Sequence, residues 1–474
     1  MMWYNIPYFY VSMRSEMDTC MAVLSGEGGR ILMKREMPDL RSFMDQVFSK
    51  PQETAPETDS PKVRLGTNQK TGEPIFWMPW EPSQMHGCVL GAPGTGKTQL
   101  IKSVIVQILR QYPNMGILVL DFKGDYNETK PEFVEVTRAK VRKIHHLSLN
   151  PFELRHLEHI PQLHVHTAMA FAEAMGSSYS LDPIQKSTLV QSVMTAYAHC
   201  GITEDPETWS LPAPTFGHVF REYLDRPTSQ HNDSLVHILE NLAGQELFEG
   251  NQEDNFDGYA NFRGVVVLDL SGYSDPVKKL VAMLILSKFC DRMSGSEAVQ
   301  GLEKLVLVDE ADDILSHGCP VLSRMIREGK ERGVGILLSA RYPDFLKSLG
   351  FDGREYIHLW LVHHVEELRK SELEHILRAE PYDPRVEQLY QFLRRLERDE
   401  CVLRLGREEP VRMENLPFHD ISTDTAQTYL RQSAPEPEED IFAGMPELDV
   451  THLEAFDLDE DIQLETLDIF EELL

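Results

Sequence analysis

Short runs of apolar residues recur along the middle of the chain, each bounded by polar or glycine-containing segments. Five of these runs hold no charged side chain: residues 88–90, 117–120, 265–268, 305–308 and 336–338. Uninterrupted apolar runs of this length are typical of strands that are buried on both faces of a parallel sheet. The pattern therefore predicts five such strands.

Amphipathic stretches of helical length lie between most of these strands, for example residues 98–111 and 276–293. The alternation of strand and helix predicts an α/β layer with a parallel sheet and helices on both faces. The segment between the second and third strands is too long for one crossover. It contains helical patterns at residues 182–199 and 234–242, and we predict a helical insertion.

The pattern also predicts how the chain is divided. Residues 50–62 contain three prolines among small polar residues and cannot bury apolar area, which is typical of a linker. The predicted parts are a small N-terminal region (1–49), this linker (50–62), a leading hairpin with the first part of the α/β core (63–156), the helical insertion (157–260), the second part of the core (261–418) and an acidic tail (419–474).

Composition and charge narrow the class of protein. The chain has 474 residues, 42% of them hydrophobic, so a large core is possible. Its net charge is −30, and residues 432–474 supply half of this with 15 carboxylates and no Lys or Arg. A protein of this sign is not coated with a nucleic-acid-binding surface, so any DNA contact must come from local basic loops.

Cysteine usage and hydropathy bear on the compartment. The six cysteines are scattered without a CxxC pair, which is typical of a reduced, intracellular protein. The longest apolar run, residues 280–286, is far too short to span a bilayer, and no signal peptide is evident. We therefore expect a cytoplasmic protein without a membrane segment.

The strongest motif follows the first predicted strand directly. Residues 91–98 read GAPGTGKT and fit the phosphate-binding pattern G-x-x-x-x-G-K-[ST] at every position. Glycines allow backbone N–H groups to surround phosphate oxygens, and the helix N-terminus adds its positive end. The predicted nucleotide-binding residues are Gly91, Ala92, Pro93, Gly94, Thr95, Gly96, Lys97, Thr98 and Gln99. Within this set Lys97 is predicted to reach the β and γ phosphates, and Thr98 to offer its hydroxyl to Mg²⁺.

Two adjacent acids end the fourth predicted strand. Asp309 is predicted to hold Mg²⁺ through water, and Glu310 to polarise the attacking water. The alternative is a strand end followed by a solvated helix start, and alone the pair does not decide between the two. Together with the phosphate loop, hydrolysis is favoured. A further predicted strand, at 265–268, lies between the two motifs in the sequence. It suggests the class of nucleotide hydrolases in whose sheet another strand separates the phosphate-loop strand from the carboxylate strand.

These motifs, in this order, resemble the HerA/FtsK superfamily of hexameric DNA-pumping ATPases over roughly residues 63–418. Further matching elements are His86-Gly87, the D-x-K-G-[DE] signature at 121–125, Asn150-Pro151-Phe152, the strand ending at 268–272 and the basic helix at 327–335. The resemblance implies a RecA-like fold of the additional-strand, catalytic-glutamate type. It also implies ATP and Mg²⁺ as ligands, duplex DNA as a partner and a homo-oligomer, expected to be a hexamer. The hairpin and the insertion are most similar to DptH-like ATPases of phosphorothioation-dependent restriction.

The sequence departs from the family pattern at two places. Arg341 stands where the family has a glutamine that senses the γ-phosphate, and a guanidinium can also bind phosphate. Lys330 replaces the second basic residue of the family's R-E-G-R helix, which leaves Arg327 and Arg332 as candidates for a finger that reaches a neighbouring subunit's nucleotide. For each of these two arginines the alternative is an ordinary solvated helix face.

The acidic tail has two interpretations. Apolar residues recur among its carboxylates, which is typical of an amphipathic helix that docks on a partner or on a basic surface of the protein itself. It can equally be a disordered solubilising tail. The interleaved Leu, Ile and Phe favour docking.

We therefore predict a Mg²⁺-dependent ATPase that moves or remodels double-stranded DNA. It is expected to be the ATPase subunit of a prokaryotic restriction or antiphage defence system with a separate nuclease, since no nuclease motif is visible. The alternatives are a motor of the conjugation or secretion type, and a nucleotide-gated oligomeric scaffold with little turnover.

Overall fold

The computed structural model describes residues 10–11, 21–26, 29–34, 61–144, 149–154, 160–226, 233–245, 263–295, 299, 301–312, 319–343, 346, 353–366, 369–377 and 384–421. The chain forms two compact units, residues 1–61 and 62–474. Almost all of the predicted linker lies outside the described residues, and so does the predicted tail after residue 421.

The first unit contains a small antiparallel sheet. Its three strands follow their order in the chain and are β1 (Tyr10–Val11), β2 (Met21–Gly26) and β3 (Gly29–Lys34). β2 and β3 pair antiparallel, from Met21 with Lys34 to Gly26 with Gly29.

Within the described residues, the second unit is built on one sheet of eleven strands. In chain order they are β4 (Val63–Asn68), β5 (Pro74–Trp77), β6 (Gly87–Leu90), β7 (Gly116–Asp121), β8 (Lys140–Lys143), β9 (Gly264–Asp269), β10 (Lys304–Val308), β11 (Val334–Ala340), β12 (Leu359–Val362), β13 (Glu400–Leu405) and β14 (Val411–Asn415). Their spatial order is β5-β4-β14-β13-β12-β6-β11-β10-β7-β9-β8.

The parallel half of the sheet confirms the predicted fold class. The five predicted strands are β6, β7, β9, β10 and β11, and all of them run parallel, joined by β8 and β12. Val308, the last residue of β10, is level with Leu120 of β7 and Leu338 of β11. The segments that follow β6, β7, β10 and β11 therefore emerge at one edge of the sheet, which we call the carboxyl edge.

One detail of the strand prediction is wrong. β11 separates the phosphate-loop strand β6 from the carboxylate strand β10, whereas the strand at 265–268, which is β9, lies beyond β7 on the far side. A single additional strand does stand between the two motifs, but it is β11, the strand that ends directly before Arg341. Sequence order could not show this, because a parallel crossover can return to either side of a strand.

An antiparallel extension completes the sheet beyond β12. β13 pairs antiparallel with β12, β14 with β13, β4 with β14 and β5 with β4. The predicted leading hairpin is formed by β4 and β5. Its first strand, β4, joins the core through β14, a strand that begins more than 340 residues after β4 ends.

Helices cover both faces of the sheet and form the insertion. They are α1 (Lys97–Gln111), α2 (Pro131–Thr137), α3 (Leu163–Tyr179), α4 (Pro183–His199), α5 (Phe216–Leu224), α6 (Asp233–Gly244), α7 (Asp275–Gly295), α8 (Pro320–Glu328), α9 (Lys370–Leu377) and α10 (Pro384–Leu393). Helices α3 to α6 lie in the predicted insertion. α4 begins where the sequence predicts, because Asp182 caps it and Pro183 fits its first turn.

Alternate residues of the central strands pack on opposite faces of the sheet. In β6, Cys88 and Leu90 belong to the core that includes the insertion and α7, whereas Val89 belongs to the core that includes α1. This two-sided burial is the physical reason for the uninterrupted apolar runs. Among the helices that the structure describes, none is long and apolar enough to cross a membrane.

Candidate active site at the carboxyl edge of the sheet

The phosphate loop joins β6 to α1 and is fixed on both neighbouring strands. The backbone N–H of Gly91 donates to the carbonyl of Ala340 at the end of β11 (3.1 Å), and that of Ala92 donates to the carbonyl of His364 after β12 (2.8 Å). The Thr95 hydroxyl closes the loop by donating to the Ala92 carbonyl (2.8 Å). The loop therefore holds its shape through the sheet around it.

Lys97 is the first residue of α1 and its ammonium lies inside the loop. It donates to the carbonyls of Gly91 (2.5 Å) and Ala92 (3.1 Å). Burial lowers the pKa of Lys97, and the nearby Glu310 and Asp309 carboxylates partly offset this. The predicted phosphate-binding cation therefore lies against the loop and close to the predicted general base, Glu310, and the predicted Mg²⁺ ligand, Asp309.

Thr98 and Gln99 follow in the first turn of the helix, and both are half-buried. The side-chain oxygen of Gln99 lies 3.3 Å from Nδ1 of His419. Pro93 and Gly94 form the exposed tip of the loop.

Asp309 and Glu310 follow the last residue of β10. Asp309 is 2% exposed, and burial raises the pKa of its carboxyl to about 7. The Ser339 hydroxyl lowers this pKa, while the Glu310 and Asp121 carboxylates raise it further. Glu310 is 5% exposed. Its backbone φ is +48°, a conformation that residues other than glycine rarely adopt. The turn thus presents two buried acids close to Lys97.

Two cations hold the Glu310 carboxylate. Oε1 forms an ion pair with Nζ of Lys123, and Oε2 lies 3.7 Å from Nε of Arg341. Arg341 also donates to Oδ2 of Asp312 (3.0 Å). The structure therefore brings Lys97, Asp309, Glu310 and Arg341 together, as the sequence predicts for a hydrolytic site.

The structure places Arg327 and Arg332 elsewhere. Arg327 lies in the last turn of α8, and Arg332 lies two residues before β11 begins at Val334. Because β11 is parallel to β6, this position is at the amino edge of the sheet, opposite to the phosphate loop. Within one chain these arginines do not reach the candidate site, and a role in hydrolysis requires a neighbouring copy. Lys330 at the same edge donates to the carbonyl of Tyr356 (3.3 Å).

Sequence reasoning missed residues that support the loop from outside the motif. His363 at the end of β12 is buried; its Nδ1 donates to the Leu90 carbonyl (3.2 Å), and its Nε2 accepts from Nδ2 of Asn415 (2.8 Å). Burial lowers its pKa to about 3, so the ring is neutral. The His363-His364 pair was visible in the sequence, but only the pairing of β12 with β6 gives it this role.

Asp399 is a second missed residue. Its N–H donates to the Thr95 carbonyl (3.1 Å), and a Cβ added at Gly96 would lie 2.2 Å from its Oδ1. Asp399 has a φ of +65° and lies just before β13. No local signal in the sequence connects residue 399 with the phosphate loop.

The site fits a nucleoside triphosphate and Mg²⁺. Space is open beside Gly94, where an added Cβ meets nothing within 4 Å, and the loop N–H groups precede a helix N-terminus. Oε2 of Glu310 and Oδ1 of Asp312 are buried and accept no hydrogen bond from the described residues. Hydroxyl and carboxylate oxygens, as in Thr98 and Asp309, are the ligands that Mg²⁺ prefers.

Comparisons with known proteins give one family model and several similar structures. Residues 81–289 match the family model for the central domain of the helicase HerA. VirB4 of Thermoanaerobacter pseudethanolicus has a similar structure, with a TM-score of 0.60 at 16% identity, over 76% of this chain and 97% of that one. The plasmid coupling protein TrwB in complex with ADP and Mg²⁺ gives a TM-score of 0.48 at 13% identity, over 71% of this chain and 85% of that one. No curated protein matches the sequence at a significant level.

Proposed function

We propose, from its similarity to the HerA family model and to P-loop ATPases of the HerA/FtsK superfamily, that this chain hydrolyses ATP with Mg²⁺ and uses the energy to move or remodel double-stranded DNA. The observation that carries the proposal is the convergence of Lys97, Asp309, Glu310 and Arg341 at the carboxyl edge of the sheet. Open α/β sheets bind their ligands at this edge.

Each residue has a defined part in this reaction. The loop N–H groups and Lys97 would hold the phosphates of ATP, and Thr98, together with Asp309 through water, would hold Mg²⁺, whose charge would offset that of the phosphates. Glu310 accepts a proton from the water that attacks the γ-phosphorus. Arg341 stands beside Glu310, where its guanidinium can contact the γ-phosphate in place of the family's glutamine.

The arginines at the amino edge support an oligomeric enzyme. Arg327 and Arg332 lie at the opposite edge of the sheet from the phosphate loop of their own chain. We therefore assign them to the nucleotide of a neighbouring copy in a ring. We propose that this ring is a hexamer. Such a finger stabilises the charge that develops in the transition state.

The proposed setting is a prokaryotic restriction or antiphage system with a separate nuclease. The resemblance to DptH-like ATPases supports it, and that resemblance rests on the hairpin of β4 and β5 and on the helical insertion. The proposed DNA contacts are local, because the molecule as a whole is acidic.

The test is steady-state phosphate release with and without duplex DNA, for the wild type, Glu310→Gln and a matched control, Glu173→Gln. The Glu173 carboxylate pairs with Lys186 in the helical insertion, away from the carboxyl edge and from the arginines at the amino edge. We expect DNA to accelerate the wild type and the control, and Glu310→Gln to lose about 10²- to 10⁴-fold in turnover while it still binds ATP.

Two results would contradict the proposal. ATP binding without turnover, with or without DNA, would favour the nucleotide-gated scaffold, for which the two cations on Glu310 are a specific argument. If the wild type does not bind ATP, both the proposed ATPase and the alternative nucleotide-gated scaffold are excluded.

A further inference from the structure

The loop after β7, residues 122–126, is held by one carboxylate. Oδ1 of Asp121 accepts from the N–H groups of Lys123 (3.3 Å), Gly124 (2.8 Å) and Asp125 (3.0 Å), and Oδ2 accepts from that of Tyr126 (2.8 Å). Asp121 is fully buried at the end of β7. Four hydrogen bonds to one buried anion give this loop a single defined shape.

Glycine and asparagine fix the same loop to the sheet. Gly124 has a φ of +80°, and a Cβ added there would lie 2.9 Å from Nδ2 of Asn127. That amide donates to Oδ2 of Asp269 at the end of β9 (3.0 Å). The loop is therefore a rigid arm, and its exposed residue, Lys123, reaches across to β10.

The contact that Lys123 makes is unfavourable for a general base. A carboxylate that takes a proton from water must direct an oxygen towards that water. In Glu310 the Lys123 ammonium occupies Oε1, and the guanidinium of Arg341 faces Oε2 at 3.7 Å. In this orientation both oxygens of Glu310 face cations.

The two cations differ in how they are held. Arg341 is held by a second carboxylate, Asp312, at 3.0 Å. The Lys123 side chain is 42% exposed, whereas the Glu310 side chain is 7% exposed. An anion that approaches the carboxyl edge can therefore compete for the Lys123 ammonium without entering the buried site.

We propose that Lys123 is a positioning residue that holds Glu310 in a non-productive orientation until a phosphate group draws the Lys123 ammonium away. The phosphate belongs either to bound ATP or to the backbone of DNA. The inference rests on the proposed function, since it gives Glu310 the part of the general base.

The first test measures the Lys123–Glu310 interaction itself and needs no turnover. Thermal unfolding is followed for the wild type, Lys123→Met, Glu310→Gln and the double variant. Without ligand we expect the effects on Tm to be non-additive by about 2 °C, because the two side chains form a half-buried ion pair. The matched control is Lys130→Met, since Lys130 pairs with Asp125 of the same loop but not with Glu310; its effect on Tm should add to that of Glu310→Gln.

The same cycle with ligands separates the two sources of phosphate. If the non-additivity disappears with a non-hydrolysable ATP analogue, the nucleotide opens the pair; if it disappears with duplex DNA alone, the nucleic acid backbone does. Additive effects without ligand, or non-additivity that persists with both ligands, would overturn the proposal.

Turnover gives an independent readout. If DNA opens the pair, Lys123→Met should raise ATP hydrolysis without DNA several-fold and reduce the ratio by which DNA stimulates it; if ATP opens the pair, that ratio should stay unchanged and the KM for ATP should fall. Lys130→Met should do neither, and Lys123→Arg should behave like the wild type because it keeps the cation. Turnover in Lys123→Met that is lower than in the wild type would show that Lys123 assists Glu310, and this would contradict the proposal. Absence of turnover in every protein, with the ion pair still opened by a ligand, would instead contradict the proposed hydrolysis and leave the positioning of Glu310 standing.

Discussion

At the scale of single residues, the site depends on the space that glycines leave and on polar groups that burial keeps uncharged. The glycines of the phosphate loop are not equivalent: Gly96 faces Asp399, whereas Gly94 faces open space. Two histidines, His86 and His363, are buried beside the central strands, and burial lowers their pKa values to about 3. Their rings are therefore neutral when they form hydrogen bonds with the neighbouring strands.

Alanine at Gly96 should disrupt nucleotide binding far more than alanine at Gly94. At Gly96 the new Cβ would lie 2.2 Å from Oδ1 of Asp399, in a backbone with a φ of +103°. At Gly94 only the conformational cost of a φ of +81° arises, about 1–2 kcal/mol. Titration with a fluorescent ATP analogue should show at least a tenfold weaker Kd for Gly96→Ala than for Gly94→Ala. Asp399→Gly combined with Gly96→Ala should recover part of the loss; equal affinities of the two single variants would contradict this account.

His86 should make stability depend on pH. Its Nδ1 accepts from the N–H of Ile336 (3.1 Å) and its Nε2 donates to the carbonyl of Ile326 (3.0 Å), while burial lowers its pKa to about 3. Below pH 6.5 the unfolded chain binds a proton at His86 that the folded chain does not bind, so the wild type loses stability as the pH falls from 6.5 towards 3.

His86→Gln does not lose stability in this way, because glutamine does not titrate. The variant should be less stable than the wild type at pH 8, and the difference in free energy of unfolding should narrow by about 1.4 kcal/mol per pH unit below 6.5. Denaturant unfolding between pH 8 and 5 measures it, with the exposed His237→Gln as control. A difference that stays constant with pH would refute the assignment.

At the scale of elements, the segments after the parallel strands give the site its geometry. The turn after β10 presents Asp309 and Glu310, the loop after β7 carries Lys123, and β12 supports the phosphate loop. Each segment is short and fixed by hydrogen bonds to its own strand or to a neighbouring one. The site is therefore as rigid as the sheet edge that carries it.

Asp121→Asn should loosen the arm that carries Lys123. The amide keeps one acceptor oxygen and turns an NH₂ group towards backbone N–H groups that now donate to the carboxylate. Leaving buried donors unpaired costs roughly 1–3 kcal/mol, so the Tm should fall by several degrees. The control is Asp205→Asn, since Asp205 accepts one N–H at the start of an exposed turn. Equal shifts for both variants would show that the four bonds of Asp121 do not stabilise the loop.

At the scale of the whole molecule, the shared direction of the parallel strands places two sets of candidate catalytic residues at opposite edges of the sheet. Lys97, Glu310 and Arg341 lie at the carboxyl edge, and Arg327 and Arg332 lie at the amino edge. A single chain cannot unite them, whereas a head-to-tail ring of identical chains can place one edge of each copy against its neighbour.

Mixing two inactive variants should therefore restore activity. Arg332→Ala keeps an intact Glu310, and Glu310→Gln keeps an intact Arg332, so about a quarter of the interfaces in a randomly mixed ring are complete. Each variant alone should lose at least about 10²-fold in turnover, because the finger and the base both act in the transition state. Phosphate release from the mixture, compared with each variant alone at equal total protein, measures the recovery. No recovery, with each variant still able to assemble, would exclude Arg332 as the finger, and Arg327→Ala then takes its place in the same experiment.

The sequence by itself determined the parts whose signal is local. Apolar runs gave the central strands, because burial on both faces requires uninterrupted apolar residues, and GAPGTGKT gave the phosphate loop, because its glycines and lysine are contiguous. The acids at 309 and 310 were found for the same reason: they directly follow a strand.

Only the tertiary structure decided what depends on which strands become neighbours. It placed β11 rather than β9 between the two motifs, brought Lys123 against Glu310 from 187 positions away in the chain, and set Asp399 against Gly96. It also put Arg327 and Arg332 at the opposite edge from the loop. These relations follow from the order and direction of the strands in the sheet, and that order is set by the packing of both faces at once, which no local stretch of sequence encodes.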